Sequence, residues 1–149
     1  MVSIEQVKEL REITGISVSE CKKALEESGG DIGKAKAWLR ERGKEIANKK
    51  SSREAGEGRV EGYVHQTGKV GVLLDLRCET DFVAKADTFR TLAHEVAMQI
   101  ASMKPESIEE LMEQSYIKDS SRTVKDLITE AVAQLGENIK VERFSRFEI

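Results

Sequence analysis

What this chain of 149 residues lacks narrows its function first. It has no surplus of positive charge: 24 Lys and Arg stand against 27 Asp and Glu, a net charge of -3. A general nucleic-acid binder needs a basic excess to neutralise phosphates, and a membrane-surface protein needs a polybasic patch for anionic lipid. Neither class is expected. No apolar run approaches the length of a bilayer span. The opening residues, MVSIEQVKEL, carry charge at once and no apolar core of a signal peptide, so no secretory leader is expected. Only two cysteines occur, Cys21 and Cys78, far apart and outside any CxxC pair. Free thiols in a reducing, cytoplasmic setting are the expectation. The two histidines, His65 and His94, have no metal-ligand spacing to each other or to a cysteine, and no sequence-local partner that makes a nucleophile pair. The 11 glycines form neither a P-loop nor a dinucleotide fingerprint. The chain is expected to hold no nucleotide, metal or cofactor of its own. There is one proline, Pro105, and no internal repeat or low-complexity tract.

What is present suits a soluble globular protein of one domain, or one domain with a small appendage: 34% of the residues are charged and 39% hydrophobic. The first 43 residues carry three helical signals. SIEQVKELREITG opens on Ser3 with Gln6 three residues on, a capping box, and sets Ile4, Val7 and Leu10 on one face. SVSECKKALEESGG repeats the device with Ser17 and Glu20, places Cys21, Ala24 and Leu25 inward, and stops at Gly29-Gly30. DIGKAKAWLRERG starts at a good cap, Asp31, and aligns Ile32, Ala35, Trp38 and Leu39. Residues 44–58 then read as a helix extension that fades into a polar linker.

Residues 59–149 mix strands and helices. VEGYVH alternates, with Val60, Gly62 and Val64 on one face; QTGK supplies a turn; VGVLLDLRC puts Val70, Val72, Leu74, Leu76 and Cys78 together. From Asp87 to Met103 the spacing is helical through Phe89, Leu92, Ala93, Val96, Ala97 and Ile100, and Pro105 marks the exit. SIEELMEQ reads as a short helix and TVKDLITEAVAQLGEN as a long one stopped by Gly136. IKVERFSRFEI reads as a strand whose apolar parity shifts between Val141 and Phe144, which signals either a bulge or burial on both faces. The fold class is α+β: a three-helix bundle, a linker, and a small antiparallel sheet packed with helices.

One junction asks for a separate explanation. In RCETDFVAKADTF, between a strand and a helix, an acid and an aromatic stand side by side as Asp81 and Phe82. Taken alone, these residues favour Thr80 or Asp81 as a helix cap with Phe82 and Val83 packed beneath.

Three ordered motifs together resemble bacterial translation elongation factor Ts. VKELREITGISVSECKKALEESGGDIGKAKAWLRERG resembles the helical N-terminal domain of that family, GYVHQTGKVGVLLDLRCETDFVAK its core with the TDFVAK signature, and KDLITEAVAQLGENIKVERFSRFEI its last helix and strand. The resemblance implies a ubiquitin-associated-like bundle and a guanine nucleotide exchange factor for the GTPase elongation factor Tu. It reverses the expectation for Phe82, which it turns outward with Asp81 toward the magnesium and phosphate site of the GTPase. It makes Thr80, Asp81, Phe82 and Val83 partner contacts, Leu10 and Val18 the apolar tip of the N-terminal domain, and His65 a further contact. It also implies pairing of short members as homodimers, with Phe144, Phe147 and Ile149 as interface candidates. The family's inserted helical hairpin has no room here, since the chain passes quickly from ASMKPES to the last helix. A purely non-catalytic adaptor that binds a partner through the bundle is the competing expectation.

Overall fold

The computed structural model describes all 149 residues. Its first three helices are α1 (Ile4–Thr14), α2 (Val18–Glu27) and α3 (Ile32–Lys50). Each starts where a side-chain oxygen meets an otherwise orphaned backbone N–H. Ser3 accepts from Gln6 N while the Gln6 side chain answers the Ser3 N–H, Ser17 accepts from Glu20 N, and Asp31 accepts from Lys34 N. Their shared core is Leu10, Cys21, Ala24, Leu25, Ala35 and Leu39, flanked by half-buried Val7, Ile16 and Trp38. Leu10 is fully buried there. The expectation that it forms an exposed tip is therefore corrected. Its spacing from Val7 puts it on the inward stripe of α1, and burying a Leu side chain stabilises by about 1.5–3 kcal/mol.

Helix α3 continues without a break across residue 43 to Lys50. Its first half closes the bundle. Its second half lies on the rest of the molecule, where Ile46 and Ala47 pack against the larger core. The polar connection is confined to the residues between Lys50 and β1.

The core sheet has three antiparallel strands in the order β1 (Glu57–Val64), β2 (Val70–Cys78) and, after the helices, β5 (Lys140–Glu148). Between β2 and β5 come α4 (Asp81–Ala84), α5 (Asp87–Met103), α6 (Ile108–Glu113), the two-stranded hairpin β3 (Ser115–Tyr116) and β4 (Asp119–Thr123), and α7 (Val124–Leu135). That hairpin has no counterpart in the sequence-based expectation. It is anchored by fully buried Gln99, whose amide donates to Ser115 O (3.0 Å) and accepts from Ile117 N (3.0 Å). Gly58, the second residue of β1, sits at φ +149°, where an added Cβ would lie 2.1 Å from Leu76 O; only glycine fits so close to the neighbouring strand.

One face of the sheet is covered by α5, whose Phe89, Leu92, Ala93, Val96, Ala97 and Ile100 are all buried as their spacing predicts. They meet Val72, Leu74, Leu76 and Cys78 of β2. The register slips opposite Asp75 and Leu76, which face Arg143 and Val141, so Glu142 is the extra residue of the expected bulge. The slip fixes which aromatic points where. Phe144 opposite Leu74 turns inward and packs on the core, whereas Phe147 opposite Gly71 turns outward and is 73% exposed. Phe144 is thus removed from the exposed interface candidates, because residues three apart on a strand point to opposite faces.

The other face of the sheet is uncovered. Val60, Val64 and Gly62 do share a face, but it is this outer one, with Leu73 and Phe147. On the central strand of this face Asp75 is buried under Arg77 and Arg143, which donate to its two carboxylate oxygens.

Candidate functional site

The TDFV segment is a single helical turn held from behind. Thr80 caps α4, its hydroxyl accepting from Val83 N (3.3 Å). In one turn that starts at Asp81, positions 83 and 84 fall toward the sheet and positions 81, 82 and 85 toward solvent. Val83 and Ala84 are accordingly buried in the core. The expectation that Val83 touches a partner is corrected: it anchors the turn. Phe82 is 86% exposed. Asp81 is exposed too, and its carboxylate is engaged only by Lys85 at 2.8 Å. An exposed ion pair of this kind contributes little and yields readily to a competing partner. The bare reading of the residues, with Phe82 beneath the turn, is therefore set aside in favour of an outward ring.

The backbone just before the turn is fixed on several sides. Glu137, in the loop after α7, accepts from Glu79 N (3.1 Å), Thr80 N (2.9 Å) and the Thr80 hydroxyl (2.7 Å). In return the Glu79 carboxylate accepts from Asn138 N (2.7 Å). The Cys78 thiol donates to Thr80 O (3.2 Å). Burial, and then the nearby Glu137 carboxylate, push that thiol up to about 11, so it stays neutral and able to donate.

The N-terminal domain meets the same end of α7. The Gln134 side chain donates to Thr14 O (2.6 Å) in the turn between α1 and α2, and the Gly43 backbone lies close to Ala133. Val18, at the start of α2, is 50% exposed on that turn. Ile13 is exposed to a similar degree, but it lines the cleft of about 300 Å³ between the bundle and α7, with Arg40, Arg122 and Glu130. Burial raises the Glu130 carboxyl above its usual range even though Arg122 is bonded to it. This cleft holds no histidine, cysteine or serine nucleophile.

His65 stands apart. It follows β1, whose first residue, Glu57, pairs with Cys78 beside the TDFV turn. Eight strand residues at about 3.3 Å each place His65 roughly 25 Å from that turn. Its Nδ1 instead shares a hydrogen bond with Tyr63 Oη (3.0 Å), whose ring meets His94 edge-on. The structure therefore does not join His65 to Asp81 and Phe82. No group of three or more His, Cys, Asp and Glu side chains is arranged to hold a metal ion. No helix is long and apolar enough to cross a membrane.

Sequence comparison adds independent information. The family model described as "Elongation factor TS" matches residues 79–149, and that described as "Elongation factor Ts, mitochondrial, N-terminal" matches residues 2–46. Among similar curated proteins, elongation factor Ts of Herpetosiphon aurantiacus is 42% identical over 193 aligned positions, covering 99% of this chain and 98% of its own. That of Thermotoga neapolitana is 43% identical over 191, covering 99% and 97%, and that of Heliobacterium modesticaldum 43% over 194, covering 100% and 90%. The alignments are longer than this chain, so a stretch of each relative has no counterpart here. With both the bundle and the TDFV-bearing core matched across its length, the chain belongs to the elongation factor Ts family.

Proposed function

We propose that this member of the family is a guanine nucleotide exchange factor that promotes GDP release from elongation factor Tu by disturbing its magnesium and phosphate site. The observation that carries the proposal is the side-by-side exposure of Phe82 and Asp81 on a turn whose other face is anchored in the core. An exposed Phe gains nothing in the free protein. It gains when a partner covers it.

Exchange needs no covalent step by this chain. The factor must bind the empty GTPase more tightly than the loaded one, and by linkage the nucleotide then weakens the factor equally. A thousandfold faster release corresponds to a barrier lowered by about 4 kcal/mol. Phe82 acts as an apolar wedge on the segment that positions magnesium, and Asp81, once it leaves Lys85, competes for that segment's hydrogen bonds. Residues 1–43 supply docking affinity through the turn bearing Val18, and residues 59–149 supply the exchange element.

The uncovered sheet face supports a second part of the proposal. Val60, Val64, Leu73 and Phe147 form an apolar outer surface, with Ile149 beside it. A second copy of the chain covers it in a homodimer of stacked sheets. The function is tested by the release of a fluorescent guanine nucleotide from elongation factor Tu on addition of this protein. Accelerated release is expected; binding with no acceleration makes the protein an adaptor.

A further inference from the structure

The turn that presents Phe82 is too short to hold its own direction. Helix α4 has four residues, and an isolated single turn is unstable in water. Val83 and Ala84 fasten its lower side in the core. Its entry, at Glu79 and Thr80, is held by hydrogen bonds from outside the turn.

We propose that Glu137 is a positioning residue for exchange: its carboxylate grips the Glu79–Thr80 backbone and so sets the direction in which Phe82 and Asp81 point. The proposal rests on the exchange reading given above. Both carboxylate oxygens are used, Oε1 by two successive backbone N–H groups and Oε2 by the Thr80 hydroxyl. Because the Thr80 hydroxyl donates to Glu137, the lone pairs of Thr80 Oγ1 stay free to accept from Val83 N, which is the cap of α4. Hydrogen bonds to an ionised acceptor are about twice as strong as neutral ones, so this is a firm hold on one dipeptide.

Glu137 is itself placed. Gly136 ends α7 in the left-handed region, at φ +76°, and turns the next residue back toward β2. Asn138 is buried, its backbone N–H bonded to the Glu79 carboxylate and its side-chain amide to Arg53 O (2.8 Å). The two loops therefore exchange hydrogen bonds in both directions. The hydrophobic core beneath the turn, with Cys78, Val83 and Ala84, is made of apolar contacts in which the carboxylate takes no part.

Two substitutions in the full chain test the role. Glu137→Ala removes every acceptor. Glu137→Gln keeps an acceptor for the two backbone N–H groups and changes only the partner of the Thr80 hydroxyl. Three quantities are measured on each: amide hydrogen exchange across residues 79–85, the thermal midpoint, and nucleotide release from elongation factor Tu as a function of factor concentration. Expected for Glu137→Ala are faster amide exchange in that segment and a saturating release rate about tenfold lower, as misplacement of a reacting element gives. The half-saturating concentration is expected to stay within about twofold, since docking is otherwise intact. Glu137→Gln restores most of the rate. Should Glu137→Ala not fold, the same three measurements on Glu137→Gln decide, with a smaller loss of saturating rate expected.

Unchanged amide exchange, or loosened amides with an undiminished saturating rate, overturns the proposal. A loss of rate matched by an equal loss of folded protein overturns it as well, because the residue is then only structural. If the unaltered protein accelerates no release at all, the exchange reading fails instead; the amide measurement, which needs no GTPase, still reports whether the clamp exists.

Discussion

Truncating Phe82 to Ala separates a docking residue from a core residue. The ring is 86% exposed, so its loss leaves no cavity and the stability change is expected within about 0.5 kcal/mol. The small helix-propensity advantage of Ala even favours the variant slightly. A buried Phe would instead cost about 3–5 kcal/mol. The functional effect runs the other way. Fully covering a Phe side chain is worth about 1.5–3 kcal/mol. If that gain is realised only as the nucleotide leaves, the saturating release rate falls roughly ten- to hundredfold in the variant. Thermal unfolding and stopped-flow release of a fluorescent guanine nucleotide, on the same preparation, give both numbers. A midpoint lowered by many degrees with normal release per folded molecule would refute the reasoning and make Phe82 a packing residue. A midpoint and a release rate that are both unchanged would refute it too, since the ring would then serve neither purpose.

Leu10→Ala is expected to destabilise the bundle by about 2–5 kcal/mol, while Val18→Ala leaves unfolding nearly unchanged and raises the half-saturating concentration for exchange; unfolding curves and titrations that show the reverse would restore Leu10 as the docking residue. Leu73→Lys, on the uncovered sheet face, is expected to convert a dimer to a monomer at micromolar concentration by light scattering, and a monomeric unaltered protein with full activity would remove the homodimer. The Arg77 guanidinium, followed by Arg143, holds the Asp75 carboxyl below its usual range against the opposing effect of burial. A lowered native value means stability that is complete above the unfolded value near pH 4 and lost as pH falls through the native one, so Asp75→Asn is expected to flatten the acid limb of stability; identical acid limbs would contradict this.

The caps and stripes of the helices were legible because they are local. Ser3 with Gln6, Asp31 with Lys34 N, and the inward face of α5 need only positions three or four apart. The β-bulge at Glu142 was legible for the same reason, since a break in period-two parity shows within one strand. The corrections have two sources: a fact that is not local to the segment, or a local rule that family likeness had overruled. The alternation of Val60, Gly62 and Val64 marks a shared face but cannot say which side the helices cover, and they cover the other. Leu10 was placed at the tip by family likeness against its own helical spacing, and the spacing prevailed. Val83 was grouped with its motif although one helical turn must send it inward. The β3–β4 hairpin carries no Gly-based turn signal, and a buried Gln99 on a distant helix supports it. The grip of Glu137 on Thr80 spans 57 residues of sequence and has no local signature.

The central claim is differential binding, and one comparison tests it most directly: the affinity of this protein for elongation factor Tu without nucleotide against its affinity for the GDP-bound form, measured by calorimetry or interferometry in the same buffer. Binding to the empty GTPase is expected to be tighter by about a thousandfold, and by linkage the factor then weakens GDP binding in the same ratio. Equal affinity for the two forms would mean that Phe82 and Asp81 exert no pull on the nucleotide site, and would contradict the exchange function outright.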